Sequence, residues 1–172
     1  MGKGFDLISG TSTGGIVACA LAAGISLEKV DTLYRHHGPA IFPYQRTRAL
    51  PVLGQLIRGS GVGNRAGDQA LQEVLCRTFG TQTIGQMYRE RGIALAIPAV
   101  DLNRHAAVVF KSPHLQRLNG RDNERTLVDV CLATTAAPIL RSMAHLQEPG
   151  VNATTAVYVD GGFGPTIPAS SA

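Results

Sequence analysis

Apolar residues follow two rhythms along this chain, short unbroken runs that suit buried strands and a three-to-four spacing that suits helices. Phe5 to Ser9 reads as a short buried strand, and Thr13 to Ala23 as a helix of small apolar residues closed by Gly24, whose missing Cβ suits a left-handed cap. Ser26 caps a second helix with Val30, Leu33 and Tyr34 on one face, and the segment HHGPAIFPYQ ends it because Gly38, Pro39 and Pro43 oppose helical propagation. Arg46 to Gly67 is rich in Gly and Arg and is expected to be a surface excursion, with one helical turn around Val52 to Ile57. The pattern predicts a helix over Asp68 to Phe79, with Leu71, Val74, Leu75 and Phe79 inward and Gly80 closing it, and a shorter one over Thr83 to Tyr88.

Two β-branched segments, GIALAIPAVDL and HAAVVFKS, are separated by Asn103 and Arg104 and predict paired strands around a turn. Thr126 to Thr135 returns to helix and stops before Pro138, and Ala156 to Val159 forms a last strand that ends at Asp160 and two glycines. Helices alternating with buried strands predict an α/β layered domain. No internal repeat is present.

Composition narrows the class. With 172 residues, 44% hydrophobic and 16% charged, the chain can build one sizeable core, and a single domain over residues 1–172 is expected. The net charge of +4 is scattered over pairs such as Arg89/Arg91 and Arg121/Arg125, which favours loose attraction to an anionic surface. Five Phe, four Tyr and no Trp leave little for base stacking, so no nucleic-acid partner is predicted. Cys19, Cys76 and Cys131 are far apart in apolar contexts and read as reduced thiols; they suggest neither a disulfide framework nor a metal site. The longest weakly polar run, Gly14 to Ile25, has about a dozen residues against the ~20 of a membrane span. The opening MGKGFD has neither the apolar core of a signal peptide nor the Ser or Thr of a myristoylation site. The expected location is the cytoplasm, with peripheral contact to a membrane.

Chemistry enters at Gly10-Thr11-Ser12-Thr13-Gly14, a G-x-S-x-G sequence between a strand and a helix, the form of a nucleophile elbow. Glycines two positions either side of the serine would let strand and helix cross closely. The hydroxyl then stands at the strand's carboxyl end, above helix N–H groups that can meet a developing oxyanion. The bland alternative is a Gly/Ser/Thr turn without chemistry. A phosphate cradle is a further alternative, but the stretch lacks the lysine of a P-loop and the third glycine of a dinucleotide fingerprint.

A serine needs a base. His145 following Asp101, Asp122 or Asp129 would allow a Ser-His-Asp triad, although the local sequence SMAHLQEPG carries no signal of its own. Asp160 is the better candidate, since it ends an apolar strand before Gly161 and Gly162 and would emerge at the same sheet edge as Ser12. An aspartate is a weak base in water and would rely on a desolvated, lipid-filled site.

Together these residues resemble the patatin-like phospholipases, whose marks are G-T-S-T-G at the serine and D-G-G or D-G-A at the acid. The segments GPAIFP, LQEVLCRTFGTQTIGQM, AVDLNRHAAVVFKSPH and VDVCLATTAAPIL are similar too and lie in the same order, so the resemblance covers Phe5 to Gly162. It implies a three-layer sandwich with a mostly parallel central sheet and helices on both faces. It also implies a lipid acyl hydrolase of phospholipase A type, acting in lipid catabolism through a Ser12–Asp160 dyad and an acyl-enzyme. The amide of Thr13 would be one oxyanion donor; no metal or cofactor is implied, and the substrates are acyl esters of phospholipids and other glycerolipids at a membrane surface. The oligomeric state has no signature in the sequence. The family's D-G-G-G-x-R-G strand and loop and its Asn-Pro-containing continuation have no counterpart here, so the expectation is a domain cut at both ends. Losing even one oxyanion donor costs about 100- to 1,000-fold in rate, and weak activity is expected. Two alternatives remain, a non-catalytic lipid- or partner-binding remnant and a triad esterase using His145.

Overall fold

A computed structural model describes residues 4–41, 62–136, 143–148 and 154–163. Strand β1 (Leu7–Ser9) leads into α1 (Thr13–Ala22), which is buried on most sides through Gly15, Ile16, Ala18, Cys19, Ala20 and Ala22. A helix apolar all round belongs inside a core. It ends in a Schellman motif: the amide of Ile25 donates to the carbonyl of Ala20 at 2.8 Å and that of Gly24 to Leu21 at 3.1 Å. Gly24 takes the positive φ of 80° that the motif requires.

Helix α2 (Leu27–Ile41) buries Val30 and Leu33. It runs through Gly38 and Pro39, where the sequence pattern predicted its end. Both residues fall in the final turn, where a proline removes one ladder bond and little helix remains to be broken. Helix α3 (Val62–Phe79) packs against α2 and buries the expected Leu71, Val74, Leu75 and Phe79, with Gly80 beyond it at φ 58°. It begins six residues before the expected Asp68, so Val62 to Gly67 is helical, and the rest of the expected excursion lies outside the described residues. Nothing in that stretch forbids helix, since Gly63 and Gly67 cost only about 1 kcal/mol each relative to Ala. The helical turn expected at Val52 to Ile57 lies outside the described residues.

Helix α4 (Ile84–Arg91) starts with a capping box, the Gln86 amide donating to Thr83 Oγ1 at 3.2 Å and the Thr83 amide to Gln86 Oε1 at 3.0 Å. Strands β2 (Ala94–Asp101) and β3 (Ala106–Lys111) form the expected pair. Asp101 Oδ1 fixes their turn by accepting the amides of Asn103 and Arg104 at 2.9 and 3.2 Å. Helix α5 (Leu127–Thr135) is capped by Thr126, whose Oγ1 accepts the Asp129 amide at 3.0 Å. Strand β4 (Ala144–Gln147), not foreseen, precedes β5 (Thr155–Asp160) and a 3₁₀ turn at Gly161–Phe163.

The fold is α/β, but its sheet is mixed where a mostly parallel one was expected. Among the described residues only β1–β2 is parallel, while β2–β3, β2–β5 and β4–β5 are antiparallel. The connections explain this. Between β1 and β2 the chain has room for the helices a parallel crossover needs, whereas β2 and β3 are joined by a tight turn that permits only antiparallel pairing. Helices α1 and α5 pack on the sheet and on each other, α3 packs against α5, and the core lies among them.

Strand β2 organises the whole. Its residues 96–101 pair with β3 along one edge, so β1, paired with 94–96, and β5, paired with 99–101, must share the other. The parallel β1 and antiparallel β5 therefore run toward one another, and their carboxyl ends meet beside Ile97 and Pro98.

Candidate active site

The register of β2 brings the two motifs together. Ser9 lies opposite Ala96 and Asp160 opposite Ala99, so the loop leaving β1 and the turn leaving β5 converge over Pro98. A Cβ on Gly161 would stand 2.4 Å from the Pro98 carbonyl oxygen and 3.1 Å from Thr11 Cγ2, and only glycine allows so close an approach. Gly10 is under the same demand, because its Cβ would stand 2.2 Å from the Gly14 carbonyl oxygen. Gly14 is not, having nothing within 4 Å of an added Cβ. The crowding expected there belongs to its neighbour Gly15, whose Cβ would come 2.7 Å from Thr134 Cγ2. Helix and sheet thus cross most closely at Gly10 and Gly15.

Ser12 occupies the N-cap of α1 with φ 56° and ψ −129°, outside the extended region a capping residue uses, and its side chain makes no capping bond. A serine cap contributes about 1 kcal/mol and a residue in such a backbone region costs about 1–3 kcal/mol. Both are given up here to aim the hydroxyl elsewhere: Ser12 Oγ donates to Asp160 Oδ2 at 2.5 Å, across 148 positions of sequence. Asp160 is buried, its other oxygen Oδ1 accepts the Gly162 amide at 2.7 Å, and its own amide donates to the Ala136 carbonyl at 2.9 Å. Gly162 is close enough for an added Cβ to stand 3.2 Å from Asp160 Oδ1.

The helix end above Ser12 supplies amides. Those of Gly15 and Ile16 donate to the Ser12 carbonyl at 2.9 and 3.4 Å, and the Ser12 amide is taken by Thr134 Oγ1 at 3.0 Å. Thr13 and Gly14, both exposed, open the helix, and the first amides of a helix have no intrahelical acceptor. Tyr34 steadies this end by donating its hydroxyl to the Thr13 carbonyl at 3.0 Å.

His145, the alternative base, stands exposed on β4 opposite Val157. It is one strand farther from β2 than Asp160, and the Ser12 hydroxyl goes to Asp160 and not to a histidine. Of the acids considered with it, Asp101 holds its own turn and Asp122 accepts the Lys111 amide and the Arg121 guanidinium. Thr134 and Gly15 are the site residues that sequence reasoning missed. Thr134 is indistinguishable from Thr135 in the sequence, whereas the second glycine of the Gly14-Gly15 pair was a legible hint.

Comparison with known proteins bears on the same residues. The family model for patatin-like phospholipase matches residues 1–172. A cGAMP-activated phospholipase of Pseudomonas aeruginosa is 33% identical over 159 residues, 92% of this chain and 42% of that protein. One of Vibrio cholerae is 33% identical over 139 residues, 80% of this chain and 38% of that protein. Patatin-15 of Solanum tuberosum is 28% identical over 167 residues, 92% of this chain and 38% of that protein. The chain thus spans about two-fifths of the length of these relatives. Among the described residues no helix is long and apolar enough to cross a membrane. With a match along its whole length, and with the elbow serine and the D-G-G aspartate meeting over Pro98, this chain belongs to the patatin-like phospholipase family.

Proposed function

We propose that this chain carries the acyl-transfer centre of a lipid ester hydrolase, with Ser12 as nucleophile and Asp160 as its base. The single observation that carries the reading is the 2.5 Å hydrogen bond from Ser12 Oγ to Asp160 Oδ2, made at the expense of a helix cap. In the reaction, Ser12 Oγ bonds to the ester carbonyl carbon while its proton passes to Asp160. The Thr13 amide, at the positive end of α1, receives the charge that develops on the carbonyl oxygen. The carbon–oxygen bond to the lipid alcohol then breaks, and that oxygen leaves with the proton from Asp160. Water repeats the sequence on the acyl-enzyme, releasing the fatty acid and restoring the Ser12 hydroxyl. These steps use Ser12, Asp160, the Thr13 amide and a water, and the reading invokes no cofactor.

The substrates in this reading are phospholipids or other acyl-lipid esters, met by peripheral contact with a membrane surface, and the role is lipid breakdown. The three-layer arrangement with helices on both faces of the sheet goes with the reading for a protein of the relatives' length. Activation by a cyclic nucleotide is left with the bacterial relatives, because the plant patatin of similar coverage carries no such name.

A second reading is a lipid-binding module without turnover. It is favoured by the oxyanion donors within reach: the Ser12 amide is spent on Thr134, which leaves the helix end alone. A fluorophosphonate probe separates the two. Covalent labelling at Ser12, with phospholipid hydrolysis that disappears in Ser12→Ala, is expected for the hydrolase. A folded chain that never labels, yet binds phosphatidylglycerol vesicles equally with or without Ser12, would leave the binding module.

A further inference from the structure

Thr134 belongs to neither motif, yet it touches both halves of the site. Its hydroxyl is fully buried, accepts the Ser12 amide at 3.0 Å and donates to the Pro98 carbonyl at 2.7 Å. Two residues later the Ala136 carbonyl accepts the Asp160 amide at 2.9 Å. The carboxyl end of α5 therefore makes one hydrogen bond to the residue bearing the hydroxyl and one to the residue bearing the carboxylate.

A threonine late in a helix ordinarily turns its hydroxyl back to the carbonyl four residues earlier. Thr135 does so, to Cys131 at 2.7 Å, while its neighbour Thr134 does not. Its methyl packs where Gly15 lacks a Cβ, which fixes the rotamer that faces Ser12. The serine needs such a partner because φ 56° and ψ −129° are unfavourable for any residue with a side chain. Pro98 is a fitting anchor, since it lies in β2 at the gap between the ends of β1 and β5.

We propose that Thr134 is a positioning residue for the Ser12–Asp160 pair: its hydroxyl ties the strained backbone of Ser12 to β2 and keeps Oγ in register with the carboxylate. The proposal rests on the hydrolase reading for its catalytic meaning but not for its structural content. Thr134→Val removes both hydrogen bonds and keeps the shape; Thr134→Ser keeps the bonds and loses the methyl.

The test uses the purified chain and two measurements. One is fluorophosphonate labelling at a series of probe concentrations, which separates probe binding from the inactivation step. The other is hydrogen exchange of the Ser12 amide by NMR. In Thr134→Val the inactivation step should slow about 10-fold, the scale of one buried hydrogen bond lost with its partner left unpaired. Probe binding should hold steady, and the Ser12 amide should lose its protection. Thr134→Ser should stay within about twofold of wild type in both, since the bond is retained.

Wild-type behaviour of Thr134→Val in both measurements overturns the proposal, as does a Thr134→Ser variant as slow as Thr134→Val, which would assign the role to the methyl. If the wild type itself never labels, the hydrolase reading fails alone, and exchange at the Ser12 amide still decides for or against Thr134. Should Thr134→Val not fold, Thr134→Ala removes the hydroxyl without adding bulk and is read the same way.

Discussion

Strand β5 carries two buried polar groups on one side, Asp160 and, two residues before it, Tyr158. They are served in opposite ways. Tyr158 donates its hydroxyl to Glu148, which also pairs with the buried Arg125 guanidinium and lies 3.9 Å from Arg104. Arg125 donates to the Gln147 carbonyl at 2.8 Å and lies 5.7 Å from the ring centroids of both Phe110 and Tyr158, themselves in edge contact. Arg104 reaches Asp101 as well, at 3.2 Å. Each carboxylate there meets a cation. Asp160 makes no ion pair among the described residues and holds two neutral donors, the Gly162 amide and the Ser12 hydroxyl. A cation beside a carboxylate lowers its affinity for a proton. What makes the Arg125 cluster a good brace would work against the role of base proposed for Asp160.

The largest break in this comparison comes from the dyad. Asp160→Asn keeps a hydrogen-bonding side chain but cannot take the serine proton. Its fluorophosphonate labelling should fall about 1,000-fold, some 4 kcal/mol of transition-state stabilisation, with little change in melting temperature. Retained labelling would remove Asp160 as the base and return attention to His145. The opposite pattern is expected of Arg125→Met, which leaves Glu148 and Tyr158 without their buried cation. Stability should drop by about 3 kcal/mol in urea unfolding, while the folded fraction labels at the wild-type rate. A loss under about 1 kcal/mol, the level of an exposed pair, would mean that the cluster braces nothing.

A smaller effect is expected on pH. Burial pushes the Glu148 carboxyl up, but the Tyr158 hydroxyl and the charges of Arg125 and Arg104 outweigh it, and the result is a lowered pKa. A carboxyl that binds its proton less readily when folded stabilises the fold above its unfolded pKa. That contribution is lost as pH falls below about 4.3, the ordinary glutamate value. Burial and the bond to Glu148 raise the Tyr158 pKa, so its contribution is present at neutral pH and is lost as pH climbs past about 10. Thermal melts should fall away at both ends, and Glu148→Gln should flatten the acid limb; an unchanged acid limb would remove Glu148 from the account.

The two regions also differ in how far the sequence announces them. Ser12 and Asp160 are legible because each rests on local chemistry, a strand end followed by residues that permit a tight turn. The Arg125 cluster is not, since Arg125 and Glu148 lie 23 positions apart and meet only once β4 has paired with β5. Strand β4 is itself hard to see, because four residues with Leu146 alone buried leave no alternation to read. The direction of β5 was missed for a related reason: strand pattern marks which residues are buried but not which way a distant strand returns. Thr134 and Thr135 share a composition and a helix, and only their tertiary neighbours, Gly15, Ser12 and Pro98 around Thr134, make their hydroxyls diverge.

The smallest expected effect concerns the elbow's own signature. The G-x-S-x-G spacing implies that both flanking glycines are demanded by the crossing of strand and helix, yet the crossing is tight at Gly10 and Gly15 and open at Gly14. Gly14 has no positive φ and lies in the first turn of α1, so alanine fits its backbone and reduces the freedom of the unfolded chain. Gly14→Ala should therefore be neutral or stabilising by about 0.5 kcal/mol, read as a small rise in melting temperature. A loss above about 1 kcal/mol would show that the spacing is a folding requirement after all. If the variant is stable but labels slowly, the glycine is there to leave room above Ser12, in the exposed space where an ester carbonyl would approach the Thr13 amide. The motif's second glycine would then belong with Asp160, kept for chemistry, and Gly10 and Gly15 with the Arg125 cluster, kept for the fold.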